Sequence, residues 1–142
     1  MASKEPKRAA NGHLLANDVG PSLKAAVRLA TSVETVCVEV RLKPGSVVRA
    51  RAWAAELSRR AEEVLATLRD EDVIVESVFL DERSDGDFLI YYMKVRSLDQ
   101  AGAIVQRSTH DIDVYHQQFK TETWESRRAL ELLVDFENFP EE

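Results

Sequence analysis

The stretch from Ser108 to Phe119 holds the side chains of this chain that are best suited to chemistry. It contains two of the three histidines, His110 and His116, with Asp113 midway between them. Histidine changes its charge close to neutral pH, and a carboxylate that accepts a hydrogen bond from an imidazole orients the ring and raises its basicity. The stretch therefore predicts a catalytic acid/base site in which His110 or His116 transfers a proton and Asp113 orients the histidine.

The helical pattern of this stretch leaves the placement of its histidines open. Residues three apart lie on adjoining faces of a helix, and His116 flanks the apolar stripe that contains Ile112. His110 points away from that stripe if the helix is continuous, but it can face inward if the helix restarts near Ser108. The alternative is that both histidines are surface or capping residues and that Asp113 stabilises the first turn of the helix.

Neither a metal ion nor an organic cofactor is predicted from these residues. A histidine pair that binds a metal from one helix is usually spaced by four residues, whereas His110 and His116 are six residues apart. The sequence also lacks the motifs GxGxxG, GxxxxGK[ST], GxSxG and CxxC. These absences argue against a nucleotide-dependent, an esterase-like or a thioredoxin-like protein.

Aromatic and charged residues elsewhere are the candidates for contact with a substrate. Tyr92 is assigned a catalytic role, because a tyrosine can donate a proton to a bound oxygen. A buried pair of Glu39 and Arg41 would be either a substrate clamp or a device that sets the register of a dimer. The tyrosines and tryptophans are equally consistent with a packed core. The residues predicted to bind the substrate are Tyr91, Tyr115, Trp53, Glu39, Arg41 and Glu76.

Alternating and helical patterns predict the elements that position these side chains. Residues 36–42 alternate as a strand, and Ser46 is the N-cap of one long helix whose apolar stripe runs to Leu68. Ser97 and Gln100 form a capping box that opens a second helix. The remaining elements are strands at 73–80 and 88–95 joined by a hairpin at 81–87, a helix restart at a second capping box of Ser108 and Asp111, and a final strand at 130–136. The predicted fold class is α+β, a ferredoxin-like βαββαβ antiparallel sheet with two helices on one face.

The second and third predicted strands carry apolar side chains on both faces. Val75 and Phe79 alternate with Ile74 and Leu80, and the third strand, 88–95, repeats this pattern. A sheet with helices on one face only would expose the other apolar face to water. We therefore expect a homodimer in which two such sheets pack face to face.

Composition indicates one domain at 35–139 that follows an N-terminal extension at 1–34. Residues 1–20 are polar and without a period, which predicts disorder, and residues 21–30 carry a short helical pattern. The extension has a net charge of +2 and the remainder −8, so the acidic domain is a poor partner for nucleic acid. No apolar run is long enough for a membrane helix, and the single cysteine, Cys37, excludes an intrachain disulfide. A cytoplasmic protein is expected.

Two further motifs carry a resemblance to known families. Residues 38–45, VEVRLKPG, followed by a long helix, resemble the opening of the dimeric α+β barrel superfamily of antibiotic-biosynthesis-type monooxygenases. Residues 89–93, LIYYM, and the segment from Ser108 to His116 resemble an uncharacterised bacterial family, DUF6176, over about residues 35–137. The superfamily resemblance implies small-molecule chemistry, often without a cofactor, in a pocket between sheet and helices. The family resemblance brings no established activity.

These observations give two expectations for function. The first is a small-molecule metabolic or biosynthetic enzyme that acts on a hydrophobic or aromatic substrate by acid/base chemistry, of the isomerase, cyclase or cofactor-free monooxygenase type. The second is a non-catalytic dimeric module that binds a ligand or another protein. A water-facing pair of histidines at 110 and 116 would contradict the first expectation, whereas a concave apolar pocket beside them would support it.

Overall fold

The computed structural model describes residues 33–105, 107–138 and 140 of the chain. The predictions for the N-terminal extension, disorder at 1–20 and a short helix at 21–30, lie outside the described residues. Eight elements are present in the described part: β1 Glu34–Leu42, α1 Val47–Arg59, α2 Ala61–Asp70, β2 Val73–Arg83, β3 Gly86–Val95, α3 Leu98–Val105, α4 Asp111–Thr123 and β4 Trp124–Ala129.

The four strands form one antiparallel sheet in the order β2-β3-β1-β4, which confirms the α+β, ferredoxin-like prediction. Each of the two helical positions in the βαββαβ order is occupied by two consecutive helices. Because side chains alternate along a strand, one face of β1 buries Val36, Val38, Val40 and Leu42. That face packs in a single core with Trp53 of α1, Phe119 of α4 and residues of α3.

The first helical position differs from the single long helix that the sequence predicts. The helix breaks at Arg60, whose φ of −107° and ψ of 34° are not helical and whose N–H is shared between the carbonyl oxygens of Glu56 and Leu57. Two residues of the predicted apolar stripe, Ala54 and Ala61, are consequently exposed. Ser46 is the N-cap residue, as predicted, but its side chain makes no capping hydrogen bond.

The helix is interrupted at the second helical position, as predicted, but the residue that caps the restarted helix differs from the prediction. The Gln100 N–H donates to the Ser97 hydroxyl at 3.2 Å, as expected for the opening of α3. The chain then leaves the helix and restarts in α4, whose N-cap is His110 and not Ser108. The Asp113 N–H donates to the His110 carbonyl oxygen at 3.1 Å, which closes the first turn. This restart gives His110 a first-turn position.

The predicted final strand at 130–136 is wrong. The last strand is β4, Trp124–Ala129, which follows α4 without a connecting loop, and residues 130–138 have no regular secondary structure. Trp124 fixes this register, because its ring is buried in the core at 5.3 Å from the ring of Tyr91. The alternating apolar residues of the predicted strand therefore lie beyond the sheet, where Leu133 and Phe136 are exposed.

The central hairpin is longer than predicted. β2 extends to Arg83 and β3 begins at Gly86, so Ser84 and Asp85 alone form the turn. Gly86 has a φ of +148°, and a Cβ atom there would lie 2.5 Å from a guanidinium nitrogen of Arg41. The positive φ favours glycine at this position, whereas the Arg41 side chain is flexible and could move away from a Cβ atom.

Among the residues that the structure describes, no helix is both long enough and apolar enough to cross a membrane.

Candidate functional site

A cleft of about 290 Å³ opens beside the start of α4. One wall is the C-terminal end of α2 with the turn that follows it, and the other is the connection from α3 to α4. We call it the His110 cleft. It is lined by Thr67, Asp70, Glu71, Ile104, Arg107, Ser108, Thr109 and His110. Hydroxyl, carboxyl, guanidinium and imidazole groups thus surround a single aliphatic side chain.

His110 is paired with a carboxylate inside this cleft. Its Nε2 lies 3.2 Å from Oδ2 of Asp70, and the histidine side chain is 44 % exposed. When the imidazole is neutral, donation from Nε2 to Asp70 leaves Nδ1 able to accept a proton. This is the arrangement of an oriented general base. The sequence predicted a carboxylate partner for a histidine in this segment, but assigned that role to Asp113.

Glu71 is the most unusual acid of the described residues. It follows α2 in the turn toward β2, it borders the His110 cleft, and only 1 % of it is exposed. Burial, and then the negative charges of Glu76, Asp113 and Asp70, raise the pKa of Glu71 to about 10. The carboxyl group is therefore protonated at neutral pH and can donate a hydrogen bond, in the manner of a catalytic acid.

Asp113 supports the loop that carries His110. It is buried, and its carboxylate accepts a hydrogen bond from the Ser108 hydroxyl. The same hydroxyl oxygen accepts the backbone N–H of His110 at 3.3 Å. Ser108 thus connects Asp113 to the backbone of the histidine, and Asp113 positions that backbone through Ser108.

His116 lies in the core, with 1 % of its surface exposed. The Trp53 indole N–H donates to its Nδ1 at 3.2 Å, so that nitrogen carries no proton. The imidazole also stacks on the Trp53 ring at 5.5 Å, and the ring of Trp53 in turn stacks on Phe119 at 4.4 Å with an angle of 4° between the planes. These contacts make His116 a packed core residue, which separates it from His110 at the cleft.

The structure does not bring the remaining predicted residues into the His110 cleft. Tyr91 is buried in the core, whereas its neighbour Tyr92 lies on the opposite, helix-free face of the sheet. Within one chain, Tyr92 therefore cannot share a site with His116. Tyr115 is partly buried, and its hydroxyl accepts a hydrogen bond from Arg49 at 3.4 Å.

The charged candidates on the sheet also divide between its two faces. Glu39 lies on the helix-free face in ion pairs with Arg83 at 2.8 Å and Arg128 at 3.4 Å. Arg41 lies on the same face, with its guanidinium 4.6 Å from the Phe88 ring centre. The sequence suggested a pair of Glu39 and Arg41, but the structure pairs Glu39 with other arginines. Glu76 occupies the helix-side register of β2, where its charge acts on Glu71.

Sequence reasoning missed Asp70 and Glu71. Adjacent acids near a helix end are usually solvated. For that reason Asp70 and Glu71 resemble polar residues that merely end a helix. A signal was nevertheless present: Thr67 and Glu71 are four residues apart and share a helix face with Val64 and Leu68, which is apolar. Among the described residues, no group of three or more His, Cys, Asp or Glu side chains could hold a metal ion.

Comparisons with known proteins give one family and several similar solved structures. The family described as "Family of unknown function (DUF6176)" matches residues 33–141. No curated protein matches the chain. A crystal structure of PA3566 from Pseudomonas aeruginosa is 17 % identical, covers 75 % of this chain and 100 % of its own, and has a TM-score of 0.48. The structure of Rv0793 from Mycobacterium tuberculosis is 18 % identical, covers 71 % of this chain and 95 % of its own, and has a TM-score of 0.40.

Proposed function

Because the chain belongs to the DUF6176 family, whose membership assigns no reaction, we propose a function from the site itself: an enzyme that transfers protons on a small molecule bound in the His110 cleft. The observation that carries this proposal is that an imidazole–carboxylate pair and a buried carboxyl group, whose pKa is raised to about 10, border the same cleft. A base beside an acid that retains its proton is what a proton-transfer reaction requires.

In the proposed reaction His110 acts as the base and Glu71 acts as the acid. His110, held by Asp70 at 3.2 Å through Nε2, takes a proton from a carbon next to a carbonyl group onto Nδ1. The electron pair of the broken C–H bond moves to the carbonyl oxygen, and the Glu71 carboxyl group donates a hydrogen bond or its proton to that oxygen. If the carbon that lost its proton adjoins a C=C double bond, the proton on Nδ1 passes to the far carbon of that double bond, the carbonyl group re-forms, and Glu71 regains any proton it gave, which completes an isomerisation. If the substrate carries a second carbonyl group, the carbon that lost its proton attacks the carbon of that group, whose oxygen takes the proton from Nδ1, and the new C–C bond completes a cyclisation.

The lining of the cleft narrows the substrate class. The polar residues Thr67, Ser108, Thr109 and Arg107 line the cleft beside the aliphatic Ile104. This composition favours a compact molecule with hydrogen-bonding groups and one apolar portion over the wholly hydrophobic or aromatic class. We propose no cofactor. We also propose a biosynthetic role, which the resemblance to antibiotic-biosynthesis monooxygenases implies, a bacterial source, which the resemblance to DUF6176 implies, and a cytoplasmic location.

Solvent exchange tests the proposed chemistry before a substrate is identified. The protein is incubated in deuterated water with a panel of small carbonyl compounds, and loss of the C–H proton signals is followed by NMR. We expect exchange in at least one compound, and we expect His110→Gln to slow it by about 10² to 10⁴-fold, the usual contribution of a general base. His13→Gln is the matched control, because it makes the same change at a histidine that is remote in sequence from every residue known to line the cleft.

Two results would count against catalysis. Compounds whose NMR signals broaden on binding, but whose C–H protons do not exchange, would indicate the alternative function, a non-catalytic ligand-binding module. Exchange that survives in His110→Gln would remove His110 from the mechanism.

We also propose that the chain forms a homodimer through the helix-free face of the sheet. Val75, Phe79 and Ile90 form an apolar area there, and Phe79 is 59 % exposed. Glu39 and Arg83 add a pair of opposite charges on the same face, which a two-fold axis can match to itself. We expect sedimentation at micromolar concentration to give a mass twice that of one chain, which is 16.0 kDa. The Phe79→Asp variant should sediment with the mass of a single chain. A monomer in the parent protein would contradict this proposal.

A further inference from the structure

An apolar groove of about 320 Å³ lies away from the His110 cleft, between the start of β1 and the segment that follows β4. We call it the Tyr92 groove. Its floor includes Val36, Cys37 and Tyr92, and its outer wall includes Leu130 and Leu132. Nearly all of this lining is hydrocarbon, apart from Thr35 and Glu131 at the rim. An open apolar groove in contact with water is a site for a binding partner.

The outer wall of the groove is a fixed arm of the chain, residues 130–138. The Leu130 N–H donates to the Cys37 carbonyl oxygen at 2.9 Å, and the Thr35 hydroxyl donates to Asp135 at 2.7 Å. Lys94 donates to Asp135 and to Glu137, both at 3.1 Å. Because this arm is anchored at both ends, the groove is a preformed feature of the structure.

The arm also presents an apolar surface of its own. Leu133, Val134 and Phe136 are 81 %, 70 % and 90 % exposed. Three such side chains within four residues, beside an apolar groove, are too many to be scattered surface residues. The surface is also acidic, because its three acids, Glu131, Asp135 and Glu137, outnumber the one base, Lys94, that pairs with the last two. An occupant of this site must therefore carry an apolar face with basic side chains next to it.

The preceding segment of the same chain has this composition. Residues 21–32 contain Lys24 and Arg28 and no acidic residue. Leu23, Ala26, Val27 and Ala30 recur at helical spacing, which gives one apolar face. The segment also arrives at the right place, because the described chain begins at Val33, two residues before Thr35 at the rim of the groove. A tether this short gives the segment a high effective concentration at the groove.

We propose that residues 21–32 bind in the Tyr92 groove of their own chain. The apolar face with Leu23 and Val27 covers Cys37 and Tyr92, and the two basic residues lie toward the acidic arm. This inference does not depend on the acid/base chemistry of the His110 cleft or on the area around Phe79.

Cys37 provides a reporter for this binding, because it is the single cysteine of the chain and lines the groove. We would measure the rate at which a maleimide modifies Cys37 in the full chain. Val27→Asp should release the segment and raise this rate by about tenfold, as for loss of a local protecting contact. Ala25→Asp introduces the same charge on the opposite face of the segment and should leave the rate within about twofold of the parent.

The concentration dependence of the rate identifies the occupant. Binding within one chain predicts the same protection at all protein concentrations and in the Phe79→Asp variant. Protection that disappears on dilution would show that a second copy covers the groove, and equal rates in the parent, Val27→Asp and Ala25→Asp would show that the segment does not bind there. Either result would overturn the proposal.

Discussion

Replacing Glu71 with glutamine is expected to stabilise the protein by up to about 4 kcal/mol near pH 7.5. The pKa of Glu71 is about 10 in the folded protein and 4.5 for an ordinary glutamate. Between these values the folded chain must bind a proton that the unfolded chain releases, and this costs about 1.4 kcal/mol per pH unit. Glutamine has nearly the same shape and needs no proton, so the variant avoids that cost.

The pH dependence gives the sign of the effect. Below about pH 4.5 Glu71 is protonated in both the folded and the unfolded protein, so it does not affect the free energy of unfolding. Between about pH 4.5 and pH 10 its contribution lowers that free energy steadily as the pH rises. Urea unfolding at several pH values should therefore show a falling free energy of unfolding for the parent and a flatter curve for Glu71→Gln. Glu62→Gln is the control, because Glu62 is exposed on α2. Equal slopes for parent and Glu71→Gln would contradict the assignment.

Truncation of Trp53 to alanine is expected to lower the free energy of unfolding by about 3 to 5 kcal/mol, the range for large aromatic side chains in a core. Trp53 is 2 % exposed and stacks on Phe119 at 4.4 Å, and it packs against Tyr91 and His116. Its removal leaves a cavity at the junction of α1, α4 and the sheet. Chemical denaturation of the variant measures this loss.

A second substitution separates packing from hydrogen bonding at this position. Trp53→Phe retains much of the stacked ring but removes the N–H that His116 Nδ1 accepts at 3.2 Å, which should cost about 1 to 2 kcal/mol for the hydrogen bond. If Trp53→Phe were as damaging as Trp53→Ala, the hydrogen bond and not the stack would hold His116. If neither variant lost stability, His116 would not be held in the core by Trp53.

The period of the apolar residues was enough to predict the central strands and the class of fold. Alternation along residues 36–42 identified β1, and the capping residue Ser97 identified the start of α3, because both signals are local. The final strand was missed because its position depends on a distant contact, the packing of Trp124 against Tyr91. The apolar run after β4 resembles a strand more strongly than β4 itself does, but β4 is the segment that pairs with β1.

The candidate site was predicted in part for the same reason. The segment around His110 was recognised from its residue types, but its partner Asp70 comes from the end of α2, forty residues earlier in the chain. After the break at Arg60, Thr67 is buried in α2 and Glu71 is buried in the turn that follows it. A local sequence pattern does not indicate which of these polar side chains tertiary packing will bury. A buried acid that costs stability is also typical of functional sites, where activity and stability compete.

The most direct test of the account is a carbon-13 NMR titration of the Glu71 side-chain carboxyl, assigned by its absence in Glu71→Gln. The proposed chemistry requires this group to carry a proton at neutral pH beside the His110–Asp70 pair. We expect its resonance to remain at the protonated position through pH 8 and to shift only toward a pKa of about 10. A resonance that shifts near the ordinary value of 4.5 would show an ionised carboxylate in the cleft, and it would contradict the role of Glu71 as the acid.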